Sequence, residues 1–174
     1  MRFLPLLPIL LLAISGCRLH AGAPERPQPV VAGYSQVVEV DSERGRIRIT
    51  ELTRGLENPW SLALVPDGNM LVSERPGRLL KLDAKGNLLA EIDGLPTIFV
   101  DGHAGLLDVV PAPDFASSKL VYLSFAKPNL RGNLAGTAVF RARLEGNALV
   151  DGKVIYEQEP KLSSGTHVGS RLVF

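Results

Sequence analysis

The sequence predicts an all-β chain, and three observations carry that prediction: apolar runs of strand length, turn residues between them, and a strand spacing that repeats. Glycine (17) and proline (13) are plentiful among 174 residues and fall between the apolar runs, which favours many short strands over a few long helices. Taken in order, RIRIT alternates through Ile47 and Ile49 with the period of a strand. Ser61-Leu62-Ala63-Leu64-Val65 runs into the turn Pro66-Asp67-Gly68, and Met70-Leu71-Val72-Ser73-Glu74 precedes Pro76-Gly77. RLLKLD precedes Lys85-Gly86-Asn87, and NLLAEI precedes Asp93-Gly94. Each run is strand-length and each turn has Gly or Pro chemistry, which makes an antiparallel meander.

The pattern then recurs. Ser61 to Asp67 finds an echo in Asp108-Val109-Val110-Pro111-Ala112-Pro113-Asp114, the two Pro-Asp pairs lying 47 residues apart. LVYLSFA, AVFRARLE and KVIYEQ supply three further strands, with Gly146-Asn147 and Asp151-Gly152 as turns. Four strands per unit at a period of roughly 40 to 50 residues is the pattern of β-propeller blades. The final Arg171-Leu172-Val173-Phe174 reads as the opening strand of a third unit. A propeller closes with about four to eight blades, so the sequence is expected to be a fragment of a longer protein.

Composition removes several function classes. With 45% hydrophobic and 21% charged residues the chain can bury a core, and a net charge of +1 from dispersed basic residues gives no stripe for nucleic acid. There is no G-x-x-x-x-G-K-[ST] and no G-x-G-x-x-G after a strand to cradle a nucleotide phosphate. Gly165-Thr166-His167-Val168-Gly169 has the spacing of a serine-hydrolase elbow, but histidine stands where the nucleophile should be and no strand-to-helix unit surrounds it. The three histidines lack the acidic or cysteine company of a zinc site.

Residues 1–16 read as an export signal: one positive charge at Arg2, an apolar stretch from Phe3 to Ile14, then small residues. The apolar stretch is shorter than the roughly 20 residues of a membrane-spanning helix, and Pro5 and Pro8 interrupt it. Ile14-Ser15-Gly16-Cys17 resembles the lipobox of bacterial lipoproteins, in which the cysteine carries the lipid. Cys17 is also the only cysteine, so an internal disulfide is excluded and lipidation accounts for it. The residue after it is Arg18 rather than the aspartate that signals retention at the inner membrane, which favours the periplasmic side of an outer membrane. Residues 17–45 read as the lipidated cysteine and a Pro- and Gly-rich tether containing His20, and residues 46–174 as the propeller domain.

Four motifs carry a family resemblance: Gly55-Leu56-Glu57-Asn58-Pro59-Trp60-Ser61, Asp101-Gly102-His103-Ala104-Gly105-Leu106-Leu107-Asp108, Pro113-Asp114-Phe115, and Ser163-Ser164-Gly165-Thr166-His167-Val168-Gly169-Ser170-Arg171. In this order they resemble the soluble glucose and sorbosone dehydrogenases, six-bladed propellers that use pyrroloquinoline quinone and calcium. The resemblance implies about two blades plus the start of a third, and a sugar substrate. It implies that His167 is the general base, taking the proton of the anomeric hydroxyl, a role that suits imidazole near neutral pH. His103 stands where the family usually has glutamine holding the substrate hydroxyl. Thr166 stands where sugar-oxidising relatives can have aspartate, and Ser170 replaces a glycine of many relatives. The calcium ligands and the cations that grip the quinone carboxylates are expected beyond Phe174, so this chain alone is expected to be weakly active or inactive. A second reading is a propeller lipoprotein that binds a ligand or protein partner without redox chemistry.

Overall fold

The computed structural model describes residues 30–32, 37–166 and 168–174. The export signal, Cys17, His20 and His167 lie outside the described residues. Two four-stranded antiparallel sheets dominate the architecture, as the repeat predicts. The first is the meander β5 (Pro59–Leu64), β6 (Met70–Glu74), β7 (Arg78–Leu82) and β8 (Leu88–Glu91), and the second is β9 (Leu106–Pro111), β10 (Leu120–Pro128), β11 (Ala135–Glu145) and β12 (Ala148–Glu157). Both follow sequence order across the sheet, the arrangement expected of neighbouring propeller blades. Before them come β1 (Val31–Ala32) paired with β4 (Thr53–Arg54), and a hairpin of β2 (Val37–Ser42) with β3 (Gly45–Thr50).

That hairpin contains RIRIT, which therefore pairs outside both blades, with residues from the segment read as tether. Its register sets Val38 opposite Ile49 and Val40 opposite Ile47 on one face, and Glu39 opposite Arg48 and Asp41 opposite Arg46 on the other. The ion pairs Arg48–Glu39 (3.1 Å) and Arg46–Asp41 (3.2 Å) are exposed and contribute little stability, so they favour the register more than they hold the hairpin.

Strand alternation explains the core. Leu71 and Leu79 of the first sheet share one buried cluster with Leu106, Val109, Val121, Leu123, Phe125, Ala138 and Phe140 of the second. On the opposite face of the first sheet Met70, Val72, Leu80 and Leu82 form a separate cluster with Leu56. Near Pro113-Asp114 the chain makes one helical turn, α1 (Phe115–Ser118), which the sequence pattern does not foretell. Phe115 is buried in the main core, and Lys119 at φ +57° ends the turn by donating its N–H to the Phe115 carbonyl.

The first sheet is bolted to the second beyond the end of β8. Asp93 donates its N–H to the Asn147 carbonyl (2.9 Å) and accepts from Leu149 N–H (2.8 Å). Gly94 at φ +85° follows, and a Cβ there would fall on the Leu149 carbonyl. Residues 171–174, expected to be the opening strand of a third unit, form no strand; a strand needs a hydrogen-bonded neighbour, and the Leu172 N–H is given to a side chain instead. The Phe174 ring meets Tyr122 edge-on at 5.0 Å.

Gly94→Ala is expected to destabilise the protein by about 2 to 4 kcal/mol in urea unfolding, since left-handed backbone and a carbonyl clash add. A loss below about 0.5 kcal/mol would mean that the bolt between the sheets relaxes freely.

Candidate functional site

Three of the four sequence motifs converge where β6 ends and β9 begins, and the fourth, Pro113-Asp114-Phe115, follows the other end of β9. The Glu74 side chain is fully buried, accepting the Glu57 N–H (2.6 Å) and the Arg78 Nε–H (2.6 Å), so the Gly55–Trp60 loop is fastened to the first sheet through a carboxylate. Asn58, at φ +46°, turns its carbonyl to accept the Arg75 N–H (3.1 Å), and the Arg75 carbonyl in turn accepts the Leu106 N–H (2.9 Å). The next motif approaches so closely that Gly105 has no room for a side chain: a Cβ would fall on the Arg75 carbonyl. The Arg75 guanidinium donates to the Gly102 carbonyl (2.8 Å) and, at 3.4 Å, to the Ala104 carbonyl.

His103 lies in the tight turn that Arg75 holds. Ala104 N–H donates back to the Asp101 carbonyl (2.8 Å), closing the turn, and the imidazole is exposed. The backbone N–H groups of His103 (2.8 Å) and Ala104 (3.0 Å) both donate to the Gly165 carbonyl. The structure thus joins the His103 turn to the loop that carries Thr166. Gly165 is buried, and a Cβ on it would overlap both the carbonyl and the carboxylate of Asp101. Thr166 is half-buried; its hydroxyl shares a 2.6 Å hydrogen bond with Ser164 Oγ, which also accepts the Thr166 N–H (3.1 Å). Its polar reach is engaged locally. His167 itself lies outside the described residues, and the chain resumes at Val168.

Beyond that position the backbone is held on three sides. Gly169 N–H donates to Thr137 Oγ1 (3.2 Å), Ser124 Oγ donates to the Ser170 carbonyl (2.6 Å), and the Trp60 indole N–H donates to Ser170 Oγ (2.7 Å). Leu172 N–H donates to Asp108 Oδ2 (2.8 Å). Asp108 is 1% exposed, and its Oδ1 accepts the Ser61 hydroxyl (2.6 Å). Its own N–H donates to Ser124 Oγ (2.9 Å), while Ser73 Oγ accepts the Ser61 N–H (3.1 Å) and donates to the Leu107 carbonyl. One buried carboxylate and three serines therefore join β5, β6, β9, β10 and the segment after residue 167. Arg171 also approaches Asp108 (3.4 Å), but its side chain is mostly exposed and adds little.

Sequence reasoning found His103 and Thr166 from motifs but passed over Arg75, Asp108 and the serines. A signal existed for Asp108: it is a charged residue inside the apolar run LLDVVP, and a buried carboxylate must find donors. Its echo in the repeat, Ser61, is the residue that donates to it.

At the edge of this region a cavity of about 730 Å³ opens between Pro96, Thr97 and the second sheet, with Phe125 and Leu134 among its apolar walls. Its charges neutralise one another, for Glu157 accepts from both Lys127 and Lys161. These contacts, Lys127 first and then Lys161, hold the Glu157 carboxyl below its ordinary range. Among the described residues no three His, Cys, Asp or Glu side chains gather as metal ligands.

Residues 56–174 match the Glucose / Sorbosone dehydrogenase family. The Aldose sugar dehydrogenase YliI of Escherichia coli (strain K12) is 41% identical over 131 residues, which cover 74% of this chain and 35% of that protein. Among solved structures, one of a glucose dehydrogenase is 49% identical with a TM-score of 0.65, covering 69% of this chain and 36% of its own. The PQQ-bound form of an aldose sugar dehydrogenase from Streptomyces coelicolor is 25% identical with a TM-score of 0.56, covering 75% of this chain and 36% of its own. The matched part of the chain thus spans about a third of the length of these relatives.

Two outcomes follow from the geometry. Asp108→Ala leaves the Ser61 hydroxyl and the Leu172 N–H without their acceptor and is expected to cost about 2 to 4 kcal/mol in denaturant unfolding, with Asp108→Asn in between. A cost under about 0.5 kcal/mol would show that water reaches the seam. Because the folded-state pKa of Glu157 is lowered, its stabilisation is present above the unfolded value and is lost as pH falls through the folded one. Glu157→Gln is therefore expected to lower the melting temperature near neutral pH and to match the parent at the acid end, the gain being modest because the pair is partly exposed. A deficit that persists in acid would assign the effect to packing.

Proposed function

Because the chain belongs to the glucose and sorbosone dehydrogenase family, we propose that the whole protein oxidises an aldose at its anomeric carbon, with pyrroloquinoline quinone as cofactor and His167 as general base. The single observation that carries this reading is the docking of the His103 turn on the Gly165-Thr166 loop through one carbonyl. Two motifs distant in sequence, one with His103 and one with Thr166, are thereby joined.

The residues present leave room for a flat group at Gly169. Gly169 is exposed, and a Cβ there would meet nothing closer than Thr137 Oγ1 at 3.9 Å. When bound, the quinone supplies the hydride acceptor. His167 takes the proton of the anomeric hydroxyl, a transfer that imidazole performs near neutral pH. His103, exposed on a turn fixed at both ends, hydrogen-bonds the substrate hydroxyl and orients it. Thr166, with its hydroxyl tied to Ser164, stiffens the loop from which His167 acts. Calcium and the cationic grips on the quinone are assigned to parts of the whole protein outside this chain. The protein is further proposed to be exported and lipidated at Cys17, tethered at the periplasmic face of an outer membrane; the lipobox-like Ile14-Ser15-Gly16-Cys17 supports this.

The full-length protein is expected to reduce an artificial electron-acceptor dye when given an aldose, the quinone and calcium, with the rate falling at least about a hundredfold in His167→Ala. Undiminished turnover in that variant would remove the histidine from the mechanism. Ligand binding without turnover in the parent would favour the non-catalytic lipoprotein.

A further inference from the structure

We infer that Arg75 is a positioning residue for this site: from the first sheet it sets the place of the His103 turn over the Gly165-Thr166 loop. The inference rests on reading that turn as substrate-holding.

The guanidinium makes its hydrogen bonds to main-chain carbonyls on either side of His103, those of Gly102 and Ala104. Guanidinium only donates, which suits it to carbonyl partners. Its base is rigid. Arg75 is fixed through its own N–H to Asn58 and its carbonyl to Leu106, and the preceding Glu74 is buried between Glu57 and Arg78. The turn packs only at its end: Asp101, Gly102 and His103 are exposed, Gly102 takes φ +53°, and Ala104 alone is buried, against Ala126 and Ala135. Besides its internal bond from Ala104 to Asp101, the turn is held by the Gly165 carbonyl on one side and by Arg75 on the other. Removing the guanidinium leaves the Gly165 contact and the buried Ala104 to hold the turn, and the exposed imidazole then samples a wider range of positions. Both bonds leave the one Nη1 nitrogen, so a lysine ammonium can keep part of the clamp but without the fixed direction of a planar guanidinium.

The test uses the full-length protein with Arg75→Met, Arg75→Lys and each combined with His103→Ala. Amide hydrogen exchange at His103 and Ala104 is expected to accelerate about tenfold in Arg75→Met and by less in Arg75→Lys. With sugar as substrate, Arg75→Met is expected to raise KM about tenfold while changing kcat less, and to change KM less than about twofold once His103 is alanine. Exchange at the parental rate in Arg75→Met, or a KM effect that persists undiminished without His103, would overturn the inference, the second because a general packing role acts regardless of the imidazole. If no variant, the parent included, oxidises any sugar, the enzymatic reading falls, and the exchange rates alone then decide whether Arg75 holds the turn.

Discussion

A carboxylate sealed between two sheets is the constraint on which the rest of this structure depends. Asp108 stands in an apolar strand at 1% exposure, where a charge survives only if its lone pairs are met by donors. The Ser61 hydroxyl and the Leu172 N–H meet them. Satisfying Asp108 therefore demands that β5 of one sheet, β9 of the next and the chain after residue 167 all arrive together. The cores could slide against one another at small cost because apolar contact is not directional. A buried carboxylate with two short donors cannot slide, since any shift leaves a charge without partners. The seam's polar atoms thus fix the relation between sheets that the apolar cluster merely favours.

The loops above the seam inherit that fixed relation, and they fit one another largely through main chain. Gly105 against the Arg75 carbonyl and Gly165 against Asp101 are contacts that leave no space for a side chain. Close backbone approach lets one carbonyl, that of Gly165, accept two N–H groups from the His103 turn. Exposed at the edge of this joint are Asp101, Gly102 and His103 of the turn and Gly169 beyond the loop.

Much of this was legible in the chain itself, and the reasons divide cleanly by range. Alternation and turn residues act locally, so the strands of both sheets and their order could be read from runs such as MLVSE and RLLKL and the glycines after them. Residues 171–174 show where that logic stops: Leu-Val-Phe is strand-like in composition, yet strand formation depends on a neighbour, and here the Leu172 N–H serves Asp108. The hairpin partner of RIRIT, Val37–Ser42, lay hidden within a segment whose Pro and Gly content suggested a tether. His103 and Thr166 could be found through ordered motifs, but not that Thr166 gives its hydroxyl to Ser164. Arg75 and Ser124 were illegible because their partners are reached only after the sheets have packed.

The same division means that the joint does not depend on which side chains stand at positions 103 and 166. The bonds that place the His103 turn run through backbone N–H groups and carbonyls, namely those of His103, Ala104, Gly102 and Gly165. Side-chain identity at position 103 does not enter them. At position 166 the backbone N–H is also satisfied by Ser164 Oγ, so part of the loop's shape is kept by main chain, and the Thr166 hydroxyl adds a second bond to the same oxygen. Position is set by the main chain and by Arg75 and Asp108; chemistry is set by what the exposed positions carry. A frame built this way can exchange side chains at positions 103 and 166 while it stays in place. Under the proposed function, His103 and Thr166 bear on which ligand is held, and Arg75 and Asp108 on whether the loops meet at all.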